Sequence, residues 1–145
     1  MATVHDVLCS KGTGIQTIDA SATVLEATQL MNQHKIGALV ITERERVAGI
    51  FTERDVLQRV VAGLRAPQDI IVAEVMTRDP ICIGPDADLD EVSAIMKDRR
   101  IRHIPVCGDS GQLLGLVSIG DVNAHYASNQ AQTIHFLSDY IYGRV

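Results

Sequence analysis

Apolar and polar residues follow one another along the chain in an order that occurs twice. Apolar side chains recur at spacings of three and four in two segments: Val24, Ala27, Leu30 and Met31, and then Leu89, Val92, Ile95 and Met96. Such spacing predicts amphipathic helices that each bury one face. The two segments start 65 positions apart (24 and 89), which indicates that a larger unit is repeated.

Short apolar runs after each of these helices predict β-strands. They cover residues 38–41 and 47–51 in the first half of the chain, and residues 104–106 and 113–117 in the second half. A charged stretch, residues 42–46, separates the first pair, and a glycine-containing stretch, residues 107–111, separates the second. We therefore predict a hairpin in each half.

The strongest repeat joins the last strand of each half to the start of a helix. Residues 49–55, Gly-Ile-Phe-Thr-Glu-Arg-Asp, return 66 positions later as residues 115–121, Gly-Leu-Val-Ser-Ile-Gly-Asp. Each copy leads into a further helical pattern, over about residues 53–62 and 119–126. One unit of strand, helix, strand, strand and helix is thus written twice, and two copies are too few for a solenoid. We predict an α/β (α+β) fold in which two repeats are related by a pseudo-twofold axis.

Each repeated motif places a hydroxyl at the start of a helix and a carboxylate three residues later. Thr52 and Asp55 form the first such pair, and Ser118 and Asp121 form the second. This spacing is a capping box, which stabilises a helix start and requires no ligand. A ligand site is the alternative, because the same glycine, hydroxyl and carboxylate occur together twice and a helix cap requires no glycine three residues before it.

Composition excludes several classes of protein. The chain has 145 residues, 46% of them hydrophobic, which suffices for a core that the two halves share, whereas each half of about 65 residues would be marginal alone. The net charge of −5 argues against general affinity for nucleic acid or anionic membranes. No apolar run is long enough to span a membrane, and the N-terminus lacks the pattern of a signal peptide, so we expect a cytoplasmic protein.

The three cysteines, Cys9, Cys82 and Cys107, have no spacing typical of a zinc site or of a disulfide framework. The histidines share no ligand spacing with other donors either. We therefore expect neither a metal site nor a disulfide.

With these motifs the chain resembles a tandem pair of CBS domains, the Bateman module. The most specific elements are the two Gly-to-Asp motifs, Val75-Met76-Thr77 at the start of the second repeat, and residues 101–106, Ile-Arg-His-Ile-Pro-Val. The resemblance implies two β-α-β-β-α repeats with their sheets packed together. It also implies two clefts that bind adenosine-containing ligands such as AMP, ADP, ATP, NAD(H) or S-adenosylmethionine, in a regulatory role and not a catalytic one.

The resemblance assigns candidate residues to the two clefts. The first is expected to contain Ile50, Thr52, Arg54, Asp55, Pro80, Ile101, Arg102 and His103. The second is expected to contain Gly37, Ala38, Leu116, Ser118 and Asp121, with the segment around Ile15. The chemistry of these residues suits such a ligand: a carboxylate accepts hydrogen bonds from ribose hydroxyls, and a helix start and an arginine suit phosphate.

The two predicted clefts differ in charge. Gly120 stands where the first motif has Arg54, and the cluster of basic residues from Lys97 to His103 lies near the first cleft. We therefore expect phosphate to prefer the cleft of Asp55. The alternative for the cluster is a solvated helix end, where cations complement the helix dipole.

We divide the chain into a first repeat, residues 1–66, a second repeat, residues 67–127, and a helical tail, residues 128–145. The tail has an apolar and aromatic stripe at helical spacing, formed by Ile134, Phe136, Leu137, Tyr140 and Ile141. Such a stripe packs either on its own chain or on a second subunit. We expect a homodimer, in part because isolated Bateman modules commonly pair.

The predicted function is a stand-alone regulatory module that binds an adenine nucleotide as a regulatory ligand and signals to an unidentified protein. No catalytic cofactor is expected, and neither nucleic acid nor a membrane is an expected partner. Two alternatives stay open: a ligand-independent structural dimerisation module, and a binder of S-adenosylmethionine. An enzyme is not expected, because no nucleophile is paired with a base and no catalytic motif is present.

Overall fold

The computed structural model describes residues 2–12 and 14–141, which form five helices and six strands. The helices are α1 (Val4–Lys11), α2 (Val24–His34), α3 (Glu53–Asp55), α4 (Leu89–Arg99) and α5 (Ile119–Ile141). The strands are β1 (Thr17–Asp19), β2 (Ala38–Glu43), β3 (Arg46–Thr52), β4 (Thr77–Arg78), β5 (His103–Cys107) and β6 (Leu113–Ser118). A π-helical segment, Val56–Val61, continues α3, and a 3₁₀ turn covers Val72–Glu74.

Two sheets carry the two repeats. The first has the order β1-β2-β3-β4, with β1 parallel to β2 and the other neighbours antiparallel. The second is the antiparallel pair β5-β6, beside which Ile83 bridges to Val106 in parallel, as β1 does beside β2. The predicted α/β class with two repeats and two hairpins is confirmed.

Each repeat has its own cluster of buried apolar side chains, and each cluster borrows a segment from elsewhere in the chain. Val4 and Val7 of α1 are buried in the apolar cluster of the second repeat. The 3₁₀ segment supplies Val72 and Val75 to the first repeat in the same way. Packing therefore crosses the boundary that we placed at residue 66, and α1 lies on the second repeat.

Backbone hydrogen bonds fix these two borrowed segments in equivalent positions. The N–H of Val4 donates to the carbonyl of Ala87 at 3.0 Å, and the N–H of Leu89 donates to that of Ala2 at 3.1 Å. On the first repeat, the N–H of Val24 donates to Ile70 at 3.0 Å and that of Val72 to Ala22 at 2.7 Å. The pseudo-twofold relation thus extends to the segments that precede each repeat.

Packing accounts for the glycine of each repeated motif. A Cβ on Gly49 would lie 2.6 Å from Sδ of Met76, and a Cβ on Gly115 would lie 2.6 Å from Cδ2 of Leu8. Both distances are far below contact distance, so a side chain at either position would force atoms of the borrowed segment to shift. The glycine therefore has a structural reason, and it no longer favours a ligand over a capping box.

Local structure differs from the prediction at two places. The predicted loop 42–46 narrows to a turn at Arg44 and Glu45, whose φ values are 52° and 65°. Left-handed φ at both positions of a two-residue turn matches the twist of a hairpin, but Arg and Glu give no sequence signal for it. The predicted helix 53–62 becomes π-helical at Val56–Val61, because its hydrogen bonds span five residues, as from Ala62 N–H to the carbonyl of Leu57 at 2.9 Å.

The tail continues the second repeat as one helix. The helix α5 runs unbroken from Ile119 to Ile141, beyond the predicted end at 126. Ile134 and Leu137 are exposed by 67% and 48%, and Ile141 by 70%. The side chains of Phe136 and Tyr140 lie outside the described residues. None of the helices within residues 2–12 and 14–141 is both long and apolar enough to cross a membrane.

The three cysteines are free thiols. Pairing of Ile83 with Val106 nevertheless brings Cys82 next to Cys107, which the sequence spacing did not indicate. Burial raises the pKa of the Cys82 thiol to about 11, and the neighbouring thiol of Cys107 acts in the same direction. At neutral pH Cys82 is therefore a protonated, weakly nucleophilic thiol.

Candidate functional site

A cleft of about 450 Å³ opens beside Asp55, between elements of the two repeats. It is lined by the eight residues that the sequence analysis assigned to the first cleft: Ile50, Thr52, Arg54, Asp55, Pro80, Ile101, Arg102 and His103. Nine further residues complete the lining: Gly37, Glu53, Gln58, Arg59, Thr77, Asp79, Ile81, Arg99 and Arg100. We call this the Asp55 cleft.

A capping box positions Asp55. The N–H of Thr52 donates to Oδ2 of Asp55 at 3.0 Å, and the N–H of Asp55 donates to Oγ1 of Thr52 at 3.3 Å. The Thr52 hydroxyl also lies 3.2 Å from Oδ2 of Asp55. Asp55 is 7% exposed, whereas the other buried side chains in the described part of the chain are apolar. The cap therefore holds a nearly buried carboxylate at the cleft wall.

The start of α3 offers fewer free donors than expected. The N–H of Glu53 already donates to the carbonyl of Gly37 at 3.1 Å, and the cap engages the N–H of Asp55. The N–H of Ile119 is used in the same way, on the carbonyl of Arg102 at 2.8 Å. A phosphate in either cleft would therefore depend more on side-chain cations than on the helix start.

Two arginines are fixed by backbone carbonyls. Nη1 of Arg54 donates to the carbonyl of Arg100 at 3.4 Å, across the cleft. Nη1 of Arg59 donates to the carbonyls of Val75 and Met76, both at 3.0 Å. Nε of Arg59 also lies 3.6 Å from Oδ1 of Asp55. Arg59, which the sequence analysis missed, therefore ties the Asp55 carboxylate to the start of the second repeat.

The Asp55 cleft is a positive site in an acidic protein. Five arginines and three carboxylates line it, which leaves a formal charge of +2: Arg54, Arg59, Arg99, Arg100 and Arg102 against Glu53, Asp55 and Asp79. Lys97 of the predicted basic cluster is not part of the lining. The other basic members of the cluster face the cleft, so a small anion would meet a favourable field there.

A second cleft, of about 340 Å³, lies beside Asp121. Its lining includes the five residues assigned to it from the sequence, together with Ile15: Gly37, Ala38, Leu116, Ser118 and Asp121. The other residues are Leu8, Lys11, Gly12, Gly14, Gln16, Ile36, His103, Leu114 and Gly115. Its charged residues are Lys11 and Asp121, so its formal charge is zero. We call this the Asp121 cleft.

Lys11 holds the carboxylate of the Asp121 cleft. Its Nζ lies 2.7 Å from Oδ2 of Asp121 and donates to the carbonyl of Leu116 at 2.8 Å. The N–H of Ser118 donates to the same Oδ2 at 2.9 Å. Burial raises the pKa of Asp121, but the hydrogen bonds from Lys11 and Ser118 outweigh burial and hold this pKa below its usual value.

His103 and Gly37 line both clefts. Burial lowers the pKa of His103, and the charges of Lys11 and Arg102 act in the same direction against those of Asp121 and Glu53. His103 is therefore a neutral imidazole near pH 7. Within residues 2–12 and 14–141, no three side chains of His, Cys, Asp or Glu converge on a metal position.

The sequence contained a signal for Lys11 that our alignment of the repeats did not use. Val4, Val7 and Leu8 correspond to Val72, Val75 and Met76 at an offset of 68, since both sets precede a repeat and cover its glycine. The same offset places Lys11 opposite Asp79 of the Asp55 cleft (11 and 79). The two clefts therefore carry opposite charges at equivalent positions.

The family follows from this architecture and is confirmed by comparison. The sequence model of the CBS domain matches residues 4–62 and 72–128, and the chain belongs to the CBS domain family. It is similar to the "CBS domain-containing protein CBSX3, mitochondrial" of Arabidopsis thaliana, with 36% identity over 97% of this chain and 72% of that protein.

Solved structures agree with this assignment. A putative signal-transduction protein with CBS domains from Burkholderia ambifaria has a TM-score of 0.85 and 36% identity, over 89% of this chain and 96% of that one. The CBS domain pair of protein MJ0100, in complex with 5-methylthioadenosine and S-adenosyl-L-methionine, has a TM-score of 0.77 and 25% identity, over 86% of this chain and 99% of that one. The chain therefore has the fold of a CBS-domain pair, known as a regulatory ligand-binding unit.

Proposed function

We propose that this protein is a regulatory module that binds an adenosine-containing nucleotide in the Asp55 cleft and passes its state to a partner protein. The observation that carries the proposal is one cleft that combines a nearly buried carboxylate with more arginines than carboxylates in its lining. A nucleotide has the complementary chemistry, since its ribose donates hydrogen bonds and its phosphate is an anion. The cleft volume of about 450 Å³ lies within the range of small-molecule sites.

In the proposed complex different residues of the cleft contact the ribose, the phosphate and the base. Asp55 accepts hydrogen bonds from the ribose hydroxyls, and Arg54 and the Thr52 hydroxyl meet the phosphate. The base lies against the apolar side chains of Ile50, Pro80 and Ile101, which offer a surface without competing charge.

The complex of protein MJ0100 supports an adenosine-containing ligand, and the charge of the cleft bears on the group that is attached to the adenosine. Both 5-methylthioadenosine and S-adenosylmethionine contain adenosine, and neither contains phosphate. S-adenosylmethionine carries a sulfonium cation, which the +2 lining of the Asp55 cleft would repel. Charge therefore favours AMP, ADP, ATP or NAD(H) over S-adenosylmethionine in this cleft.

A thermal-shift series with AMP, ADP, ATP, NAD(H) and S-adenosylmethionine tests this proposal. A ligand that binds only the folded state stabilises it by RT ln(1 + [L]/Kd), about 2.7 kcal/mol at a hundredfold excess over Kd. We expect phosphate-bearing adenosine ligands to raise the melting temperature more than S-adenosylmethionine does. The absence of any shift with all five compounds at millimolar concentration would contradict nucleotide binding.

A structural dimerisation module is the second candidate function. Capping boxes and glycine packing account for the repeated motif without a ligand, and α5 exposes Ile134, Leu137 and Ile141 on its surface. We propose a homodimer in which this stripe is covered. Light scattering at micromolar concentration should give twice the mass of one chain, and a chain that ends at residue 127 should dissociate more readily if the stripe contributes.

The proposed role is regulatory and not catalytic, in keeping with CBS-domain proteins in general. Incubation with AMP, ATP and NADH should therefore leave all three unchanged, and turnover of any of them would contradict the proposal. A cytoplasmic location stays a prediction, and the name of the plant relative places that protein in mitochondria.

A further inference from the structure

Lys11 contacts the carboxylate of the Asp121 cleft, the group to which a ribose would donate hydrogen bonds. Its Nζ lies 2.7 Å from Oδ2 of Asp121, and the N–H of Ser118 donates to the same oxygen at 2.9 Å. These two donors take both lone pairs of Oδ2. A ribose that donates to both oxygens of the carboxylate must therefore displace Lys11.

No equivalent cation closes the Asp55 cleft. Oδ2 of Asp55 is held by Thr52 of its own capping box, and Arg59 approaches Oδ1 only to 3.6 Å, beyond hydrogen-bond distance. The Thr52 hydroxyl can rotate toward a ligand. Lys11, by contrast, is a charged partner of Asp121 that lies 110 residues away in the chain. The two carboxylates are therefore not equally available.

The helix α1 holds Lys11 in place. Val4 and Val7 of α1 are buried in the second repeat, and Lys11 is its last residue. Its side chain is 35% exposed, so the ammonium can move within the cleft while the helix stays docked. Two of its three N–H donors contact Asp121 and the carbonyl of Leu116, and the third is available to an anion.

We infer that Lys11 determines the specificity of the Asp121 cleft, which admits an adenosine-type ligand only when that ligand carries an anionic group. The inference rests on the proposed function, since it assumes that the family's clefts bind such ligands here. A neutral riboside must break the ion pair and leave the Lys11 ammonium without an anionic partner, with the carbonyl of Leu116 as its remaining contact. A ligand with a phosphate gives Lys11 a new anion and thereby frees Asp121 for the ribose. Lys11 thus supplies the cation that Gly120 does not.

Titration calorimetry with adenosine and AMP tests the inference in a chain whose first cleft is weakened by Asp55→Ala. Adding Lys11→Met to this chain should raise the affinity for adenosine by up to about fivefold, the factor that a partly exposed ion pair represents. The preference for AMP over adenosine should fall by at least the same factor. Lys11→Arg, which keeps the charge, should retain the preference.

The outcomes separate the inference from the proposed function. If the unmodified protein binds AMP but Lys11→Met leaves the affinity for adenosine and the preference for AMP unchanged, Lys11 does not set specificity and the inference is wrong. If the unmodified protein binds neither compound, the proposed function fails, and the inference fails with it. Melting curves of each variant show that it is folded before titration.

Discussion

The Asp55 cleft and the Asp121 cleft are built from the same motif, yet they differ in charge and in availability. The Asp55 side chain is 9% exposed in a cleft lined by five arginines, whereas the Asp121 side chain is 21% exposed and has one cation, Lys11, at 2.7 Å. The shared part is the capping box, which fixes each carboxylate at a helix start. The different part comes from residues outside the motif, which decide what each carboxylate can bind.

The frame of the two sites, which consists of the helix start and the packing over glycine, is therefore more alike between the repeats than the charged side chains that line the clefts. The frame depends on capping and on packing over Gly49 and Gly115, where a single added carbon would collide. Charges at the rim carry no such constraint, so Arg54 and Asp79 stand in one cleft where Gly120 and Lys11 stand in the other.

The largest expected effect is the loss of nucleotide affinity in Asp55→Ala. Charged hydrogen bonds contribute roughly 1.5 to 3 kcal/mol each, so losing one or two ribose contacts should weaken binding by about tenfold to a few hundredfold. Asp121→Ala is the matched control, since it removes the same cap from the other repeat and should change affinity far less. Calorimetry that gave equal affinities for Asp55→Ala and the unmodified protein would end the assignment.

Exchanging the residues at positions 54 and 120 should change the preference of each cleft for phosphate. Arg54→Gly copies the second motif into the first and should weaken AMP about tenfold while sparing adenosine, because one charged contact is lost. Gly120→Arg is the reverse variant. A Cβ there would meet Oγ of Ser118 at 3.5 Å, an ordinary contact, so the backbone position accepts a side chain. Equal losses for AMP and adenosine in Arg54→Gly would show that Arg54 acts by position and not by charge.

The two glycines should differ in their tolerance of a methyl group. A Cβ on Gly49 would meet the carbonyl oxygen of Thr77 at 2.6 Å as well as Met76, whereas one on Gly115 would meet only the flexible side chain of Leu8. Overpacking costs about 1 to 3 kcal/mol, and we expect Gly49→Ala near the upper end and Gly115→Ala near the lower. Denaturant unfolding measures both, and a larger loss for Gly115→Ala would reverse the predicted order.

The smallest effect concerns acid stability in the Asp121 cleft. Hydrogen bonds hold the pKa of Asp121 below its ordinary 3.8 in the folded chain, so the ion pair stabilises above that value and its contribution is lost as the pH falls through the folded pKa. Lys11→Met should therefore cost up to about 1 kcal/mol at pH 7. The difference from the unmodified protein should close as the pH falls through the folded pKa of Asp121.

The exposed Lys97, for which no ion pair is found within residues 2–12 and 14–141, provides the control. Lys97→Met removes the same charge and should show no such pH-dependent difference. A difference for Lys11→Met that stayed constant as the pH falls from 7 through the folded pKa of Asp121 would mean that packing of its side chain, and not its charge, is lost.

Much of the frame could be predicted from the sequence, because it is local. Helical spacing, two hairpins and the capping boxes at Thr52 and Ser118 each depend on a few consecutive residues. The continuous helix α5 was not predicted, because its length depends on where the helix does not end. The π-helical segment after Asp55 was not predicted either, because the spacing of residues does not encode its hydrogen bonds.

Prediction of the site was incomplete wherever the chain brings distant segments together. Lys11 reaches Asp121 only because α1 docks on the second repeat, and Arg59 reaches Asp55 and the carbonyls of Val75 and Met76 at once. Neither residue belongs to the repeated motif. The motif therefore identified the carboxylates, and tertiary packing identified their partners.

A crystal structure of the protein with AMP, at a concentration a few times its Kd, tests the unequal roles of the clefts most directly. We predict AMP in the Asp55 cleft, with its ribose hydroxyls within hydrogen-bond distance of Asp55 and its phosphate beside Arg54. The Asp121 cleft should keep its ion pair with Lys11. AMP bound only at Asp121, or equally in both clefts, would contradict the account.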